Sequence, residues 1–406
     1  MTLNDRTIPM SEVPSPEIDL GTLLAEQATL TEEERMVHDS VLGWVKSRFM
    51  PGVDQRFLEG TSFAGGAVSE LAELGVFGAT LEGYGCAGMG DVAHGLAMEA
   101  FEYGDSGLRS FVSVQSSLAM YALYRYGSDE QKERWLPRMA RGEKIGCFGL
   151  TEPDWGSDPG SMVTKARRSD TGYILNGAKM WITASPFADL AIVWAKLEGD
   201  DPKDIRGFIV EKGTPGYSAP TMEGKLSLRS SVTGEIVLQD CEIPSDALLP
   251  EASGLGAPLG CLNQARYGIA WGAVGAARAC FDVALDYARS RPQFGEPIAA
   301  KQLVQAKLVE MATTIVNARL MALHVGRLKE RGEALPFHVS MAKRHNVAGA
   351  LEVARTARQI LGANGIIAEY APIRHMLNLE SVITYEGTHE VHTLILGRGL
   401  TGLHAF

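Results

Sequence analysis

Thr384-Tyr385-Glu386-Gly387-Thr388-His389-Glu390-Val391-His392 runs into Leu394-Ile395-Leu396-Gly397-Arg398 near the end of a chain of 406 residues. The flanks are apolar, which carries Glu386 toward a partly dry environment. Burial weakens the solvation of a carboxylate and raises its basicity. That suits a base that must draw a weakly acidic proton from carbon. The plainer reading is an ordinary acid at a helix start, with Thr388 capping the helix that follows. Spacing alone does not separate the two, because functional and structural acids look alike in one sequence. The rest of the chain shifts the balance.

The length allows two or three domains around a large core. Hydrophobic residues make up 45% and charged residues 21%, a globular profile. The formal net charge of -11 argues against nucleic acid or an anionic membrane surface as the main partner. Five cysteines, Cys86, Cys147, Cys241, Cys261 and Cys280, are scattered with no CxxC pair. No zinc cluster or disulfide scaffold is expected, and a reducing interior is the natural home. No window approaches 18 uninterrupted apolar residues, so no membrane span is expected. Met1 to Leu20 is Pro-rich and acidic and reads as neither a signal nor a transit peptide. The expected setting is therefore cytoplasmic and bacterial.

Working back from the C-terminal stretch, the chain changes texture twice. Residues 1–30 read as an extended acidic, Pro-rich tail. Residues 31–145 read as a helical domain that starts at Thr31-Glu32-Glu33-Glu34, a capping residue with acids in the first turn. Gly104-Asp105-Ser106-Gly107 interrupts it, and a long helix is expected from near Ser110 to Tyr126. Residues 146–253 carry short β-branched and aromatic runs: Tyr173-Ile174-Leu175, Leu190 to Trp194, Gly207 to Val210 and Glu235 to Leu238. Asn176-Gly177 and Thr233-Gly234 read as turn pairs, which makes this an antiparallel β domain. Residues 254–406 return to helical periodicity over Ile269 to Ser290, Lys301 to Arg331 and Leu335 to Leu361. The fold class is α+β: an N-terminal helical domain, a middle antiparallel β domain and a C-terminal four-helix bundle.

Five further constellations can carry chemistry, and each has a bland alternative. Leu150-Thr151-Glu152-Pro153-Asp154-Trp155-Gly156-Ser157-Asp158 offers hydroxyls and backbone donors on a stiff turn, or is a plain polar loop. In Lys179-Met180-Trp181-Ile182-Thr183, Trp181 is a plate for a flat ring, or simply core. Arg291-Pro292-Gln293-Phe294-Gly295 can hold a phosphate bidentately, or is a surface turn. Gln359 to Ile366 has closely spaced glycines that admit a ligand or another chain, or supply a helix C-cap. It is not GxGxxG and no βαβ unit surrounds it, so a Rossmann site is refused. In Glu102 to Ser110, Arg109 and Ser110 near a helix start can take a carboxylate. Alternatively Arg109 is spent in an ion pair with Glu102 or Asp105, worth about 0–1 kcal/mol at a surface.

Taken together, from about Leu30 to Gly402, the chain resembles the acyl-CoA dehydrogenase family, and within it the glutaryl-CoA dehydrogenases. The resemblance is carried by Gly83-Tyr84-Gly85-Cys86-Ala87-Gly88, Asp105-Ser106-Gly107-Leu108-Arg109-Ser110, Cys147-Phe148-Gly149-Leu150-Thr151-Glu152-Pro153, Ala265-Arg266-Tyr267-Gly268-Ile269-Ala270-Trp271-Gly272, and Asn378-Leu379-Glu380 through Arg398. It implies the same three-domain order, a homotetramer built as a dimer of dimers, and FAD between the β domain and the bundle. By motif, Phe148, Leu150, Thr151, Gly156, Ser157, Trp181, Ile182 and Thr183 would meet the flavin. Arg291, Gln293 and Phe294 would come from a neighbouring subunit. Gln359, Gly362 and Gly365 would support the same half of the cofactor, and Thr388 and Glu390 would approach it. Arg266 matches a position near the CoA portion and the catalytic carboxylate. Glu102, Arg109 and Ser110 match positions that receive a distal carboxylate, with Tyr385 beside the base. No metal is implied. One departure is Asp154-Trp155, where the family usually has small or polar residues.

The implied reaction is α,β-dehydrogenation of an acyl-CoA thioester, with Glu386 as base and the β-hydride passing to the flavin. Glutaryl-CoA would go on to crotonyl-CoA and CO₂, and electrons would pass to an electron-transferring flavoprotein. A short monocarboxylic acyl-CoA as substrate, or oxidation without decarboxylation, stays open at this point. An oxygen-reactive relative of the same fold and a non-catalytic CoA- or flavin-binding protein are the more distant alternatives.

Overall fold

A computed structural model describes residues 18–61, 66–199, 201 and 203–404. Residues 1–17, most of the expected tail, lie outside the described residues. The remainder of that segment is not extended. It forms two short helices, α1 (Leu20–Leu24) and α2 (Glu26–Thr29), and Asp19 caps α1 by accepting from Thr22 N. Leu20 and Leu24 are buried, and Leu20 joins the core of the C-terminal bundle. Docking of these two side chains outweighs the polar composition on which the extended reading rested.

At α3 (Glu32–Trp44) the helix start expected at Thr31 is present, and the cap is reciprocal: Thr31 Oγ1 accepts from Glu34 N, and Glu34 Oε2 accepts from Thr31 N. A π-helical turn (Val45–Phe49), α4 (Val53–Glu59) and α5 (Gly66–Glu73) follow. Helix α6 (Asp91–Gly104) is buried along almost its whole length. Asp105 then caps α7 (Ser106–Ser113), accepting from Gly107 N at 2.7 Å. The helix therefore begins at Ser106 rather than Ser110, and it runs through a π-helical stretch (Val114–Met120) into α8 (Tyr121–Tyr126). Helix α9 (Asp129–Ala140) closes the domain.

The β domain holds β1 (Gly146–Gly149), β2 (Lys165–Arg168), β3 (Gly172–Thr183), β4 (Leu190–Leu197), β5 (Ile205–Glu211), β6 (Tyr217–Ser218) and β7 (Thr233–Pro244). The sheet order is β1-β4-β2-β3-β7-β6, and β5 pairs with β4 off this path. Most pairings are antiparallel, but β1 and β2 each pair with β4 in parallel. Neither of those strands shows a strand pattern in sequence. Gly146 to Gly149 is short and wholly buried, and Lys165-Ala166-Arg167-Arg168 is polar with only Ala166 buried. The two expected turn pairs are not turns. Asn176-Gly177 lies inside β3 at a bulge, with Gly177 at φ 147° against Thr164, where a Cβ would come within 2.4 Å of Thr164 Oγ1. Thr233-Gly234 opens β7.

The bundle comprises α10 (Gly256–Ser290), α11 (Gln302–Glu330), α12 (Pro336–Ile360) and α13 (Ala371–Thr384), with α14 (His389–Thr401) against α12. A hairpin of β8 (Pro292–Gln293) and β9 (Glu296–Pro297) joins α10 to α11. Helix α10 serves two cores. Ala265, Tyr267, Ala270 and Trp271 join the core shared with the first two domains. Ile269, Ala273, Val274, Ala277 and Cys280 join the core of the bundle. Its crossing with α6 is so close that a Cβ on Gly275 would lie 1.9 Å from Glu99 O, and one on Gly272 would lie 2.0 Å from Glu102 Oε2.

Gly275→Ala tests this crossing. Helix propensity favours Ala by about 1 kcal/mol, but the obstructing atom is backbone, so the two helices must separate, an overpacking cost of about 1–3 kcal/mol. The expected outcome is a lower thermal midpoint, read by calorimetry. An unchanged or higher midpoint would show that the crossing has slack.

Candidate active site

Helix α13 ends where Tyr385 turns extended, at φ -80° and ψ 164°. Glu386 follows at φ 52° and Gly387 at φ 94°. Thr388 then caps α14, its Oγ1 accepting from Val391 N at 3.2 Å. Glu386 thus stands in a left-handed turn between two helices, outside the helix start that the plainer reading required. A non-glycine residue held there costs roughly 1–3 kcal/mol, so the surroundings must enforce it. They do so through three consecutive carbonyls. Lys343 Nζ donates to Tyr385 O and to Gly387 O, and Arg266 Nε donates to Glu386 O at 2.7 Å.

The Glu386 side chain reaches into a dry place: its Oε2 is buried with no hydrogen-bond partner. Burial pushes the carboxyl above its ordinary value, against the pull of Arg109, Lys343 and Arg266. Burial likewise brings the Lys343 amine down to about 7, with Glu386 opposing. His392, one turn into α14, is brought down to about 3 by burial and then by Lys343 and Arg266, and is neutral.

Beside this turn stands the Glu102–Arg109 cluster, carried by α6 and α7. Both side chains are 0% exposed, and Arg109 Nε donates to Glu102 Oε2 at 2.6 Å. Glu102 Oε1 accepts from Ser106 Oγ at 2.7 Å. Arg109 Nη2 donates to Tyr385 Oη, which also shares a hydrogen bond with Ser110 Oγ at 3.1 Å. The Tyr385 ring lies under the guanidinium, 5.6 Å from its carbon. Burial works against the Arg109 charge, but Glu102, Tyr385 and Glu386 more than offset it and raise the group above its ordinary value. The ion pair left open by the sequence is real and buried, yet it does not saturate the guanidinium. Arg109 Nη1 is buried and has no partner, an arrangement that favours a ligand oxygen. Burial pushes the Tyr385 hydroxyl up to about 12, so it remains a proton donor.

A second set of residues lines the edge of the β domain. The β3–β7 register shifts between Lys179 and Ile182, and Trp181 is turned out at φ 64°, 57% exposed. The core tryptophan of this domain is instead Trp194. Met180 N donates to Thr151 O at 2.9 Å, joining Leu150 and Thr151 to Trp181, Ile182 and Thr183 in one rim. Behind the rim Lys179 and Glu152 form a buried pair at 2.8 Å, and Glu152 also accepts from Val163 N and Thr164 N. Gly156 has open space beside its Cα, and Ser157 is exposed. The Phe148 ring packs on Trp194 at 5.9 Å, so its side chain serves the core. An exposed indole on strained backbone beside open small residues fits a flat, polar-edged ring compound.

The remaining candidates sit elsewhere. Arg291, Gln293 and Phe294 are exposed on the β8–β9 hairpin. Gly362, at φ 62°, is the left-handed residue after α12, and a Cβ on Gly365 would meet Arg358 O at 2.2 Å. Gln359 is exposed beside them. Asn364 Nδ2 donates to Tyr287 Oη at 3.2 Å, which ties this glycine turn to the hairpin end of α10. From Arg266 to that end of the helix is roughly 36 Å at 1.5 Å per residue. Glu390 is exposed in the first turn of α14, its carboxyl lowered by its own backbone amide and by Thr388. Among the described residues no group of three His, Cys, Asp or Glu is placed to hold a metal.

Sequence reading missed Lys343 and the part played by His392. Lys343 occupies the buried stripe of α12 with Val339, Asn346, Val347 and Ala350. A lysine at a core position of an amphipathic helix was the available signal, since such a group must find a partner.

Three family models match the chain: acyl-CoA dehydrogenase N-terminal domain over residues 31–143, middle domain over 147–241 and C-terminal domain over 252–401. A glutaryl-CoA dehydrogenase from Mycobacterium smegmatis has a similar structure, with 53% identity, a TM-score of 0.94, and coverage of 96% of this chain and 100% of that one. Another structure of a glutaryl-CoA dehydrogenase from that organism, in complex with FADH2, shows 48% identity and a TM-score of 0.93 over 95% and 99% of the two chains. The human mitochondrial short-chain specific acyl-CoA dehydrogenase is 33% identical, covering 91% of this chain and 90% of its own length.

Removing one member of a buried ion pair strands the other. Glu102→Ala should therefore cost about 3–5 kcal/mol, and Glu102→Gln less. Thermal denaturation checks this. Equal stability of Glu102→Ala and the wild type would mean that solvent reaches Arg109.

Proposed function

The chain belongs to the acyl-CoA dehydrogenase family, and on that premise we propose that it oxidises glutaryl-CoA and decarboxylates the product to crotonyl-CoA. The observation that carries the choice of substrate is Arg109 Nη1, buried and unpartnered, on a guanidinium that Tyr385 links to the turn of Glu386. A substrate that bears a carboxylate at one end and an acidic Cα–H at the other would engage both. The similarity to glutaryl-CoA dehydrogenases supports the same substrate.

FAD, the cofactor of this reading, supplies the acceptor for the β-hydride when bound. Leu150, Thr151, Gly156, Ser157, Trp181, Ile182 and Thr183 would hold its ring system at the rim of the β domain, with the backbone of Phe148. Thr388 and Glu390 would approach it from the start of α14. Arg291, Gln293 and Phe294 would serve the site of a neighbouring subunit, because α10 holds them far from Glu386 of their own chain. Gln359, Gly362 and Gly365 lie at that same end. Exposed apolar side chains on this face, Phe294 at 92%, Leu303 at 82% and Ile366 at 64%, support burial against another copy. The assembly we propose is a homotetramer built as a dimer of dimers, with an electron-transferring flavoprotein as the acceptor of electrons.

Glu386 draws the α-proton, and its raised basicity suits that step. Its backbone N–H makes no hydrogen bond to any described residue and is available to the thioester carbonyl as enolate character develops. A donor of that kind is worth about 3 kcal/mol. Arg109 orients the distal carboxylate, while Glu102 offsets part of its charge, so the grip does not oppose loss of CO₂. The proton held by Glu386 returns to the dienolate carbon that CO₂ leaves behind. The Tyr385 hydroxyl, a donor beside both groups, keeps Arg109 and the base in register.

Glutaryl-CoA, the yellow holoenzyme and an artificial acceptor should yield crotonyl-CoA and CO₂ by mass. Glutaconyl-CoA alone would remove the decarboxylation. Turnover of butyryl-CoA only would demote Arg109 to a structural ion pair. Arg109→Ala should lose roughly 10–100-fold more activity with glutaryl-CoA than with butyryl-CoA, the worth of one charged hydrogen bond. Glu386→Gln should keep FAD and lose roughly 10²–10⁴-fold in turnover. In the wild type, activity requires ionised Glu386, so the rate should rise with pH through a limb above the ordinary 4.5 of this carboxyl. A limb below that value would contradict the burial of the base.

A further inference from the structure

Lys343 is 1% exposed, rooted in the core stripe of α12, and donates at 2.5 Å to the carbonyls of both Tyr385 and Gly387. The residue between them is Glu386. The carbonyl of Tyr385 and the N–H of Glu386 belong to one peptide group. A cation on the oxygen of an amide draws electron density from its nitrogen and strengthens the N–H as a donor, and hydrogen bonds in a chain reinforce one another this way. The low dielectric around the turn preserves the effect.

We propose that Lys343 is a positioning residue that polarises the 385–386 peptide, so that the N–H of Glu386 binds an enolate oxygen more strongly than a neutral thioester oxygen. The inference rests on the function proposed above. It assigns to a side chain on α12, remote in sequence from the Glu386 turn, part of the stabilisation of charge that develops in the reaction. Lys343 also stacks on the Tyr385 ring, 5.7 Å from its centre, and shares the turn with Arg266, which holds the next carbonyl. All three peptide oxygens of the turn therefore face buried cations. Their N–H groups face away from those cations, as trans peptide geometry requires.

The test uses holoenzyme of the wild type, Lys343→Met and Lys343→Gln. The probe is a glutaryl-CoA analogue with sulfur in place of Cβ, which can lose an α-proton but has no hydride to transfer. Exchange of its α-protons in D₂O is followed by mass. Its dissociation constant is compared with that of the corresponding thioether, in which the carbonyl is a CH₂. Lys343→Met should slow exchange by about tenfold, a fraction of the roughly 10²–10³-fold that loss of a whole oxyanion donor costs, and weaken the thioester analogue while leaving the thioether within twofold. Lys343→Gln, which keeps one amide donor without the charge, should fall between. Exchange in Lys343→Met within twofold of wild type overturns the proposal. So does equal weakening of thioester and thioether, which marks a scaffold role only. A Lys343→Met chain that fails to fold beside a Lys343→Gln enzyme with wild-type exchange overturns it too. A wild type that exchanges no α-proton and is bleached by no acyl-CoA overturns the functional reading instead.

Discussion

The close approach of α6 to α10 sets everything that follows. Without a side chain at Gly272 and Gly275, α6 lies directly on α10, and Glu102 occupies the space that a Cβ would take. Any wider separation would move Glu102 and α7 away from the bundle. Arg109 would then lose either its carboxylate partner or its contact with Tyr385. Helix α10 is itself held from both sides, because it contributes to the core of the bundle and to the core shared with the β domain. Packing density leaves such a helix little room to shift, so a site hung on it inherits its rigidity.

The chemistry depends on charge placed where water is scarce. Arg109, Arg266 and Lys343 surround the turn, with Glu102 and Glu386 as the opposing carboxylates. Each charge alone would be expensive to bury. As a group they are tolerable because most of their donors are matched, to Glu102, to Tyr385 and to the three carbonyls of the turn. The two unmatched atoms, Arg109 Nη1 and Glu386 Oε2, are the informative ones. Burial outweighs the three cations at Glu386 and leaves it more basic than a surface glutamate. The same burial keeps His392 neutral, so it adds no further charge to the turn.

Much of the frame was legible in sequence because it rests on local rules. The cap at Thr31 with its acidic first turn and the cap at Thr388 each follow from a few adjacent residues. The long helices of the bundle follow from their periodicity. Strands β3, β4, β5 and β7 show in their β-branched and aromatic content. What was not legible was non-local. Strand β1 exists because β4 lies alongside it, and β2 has no apolar pattern beyond Ala166. Asn176-Gly177 has the composition of a turn, but the glycine is there because Thr164 lies against it.

For the site the division is similar. The Tyr-Glu-Gly-Thr-His segment and the Arg109 segment carry their residue types openly, and the sequence by itself determined that a carboxylate and a helix cap stand together, while the positive φ of both Glu386 and Gly387 emerged only in the fold. It also determined a family, through motifs spread along almost the whole chain. Only the tertiary structure decided what surrounds Glu386. Desolvation, the pairing of Arg109 with Glu102, and the grip of Lys343 on two carbonyls depend on which distant segments meet at the turn. Lys343 lies 42 positions before Tyr385 and 44 before Gly387, and Arg266 lies 120 before Glu386. Short-range pattern reports propensity and caps, whereas basicity and charge stabilisation are set by neighbours in space.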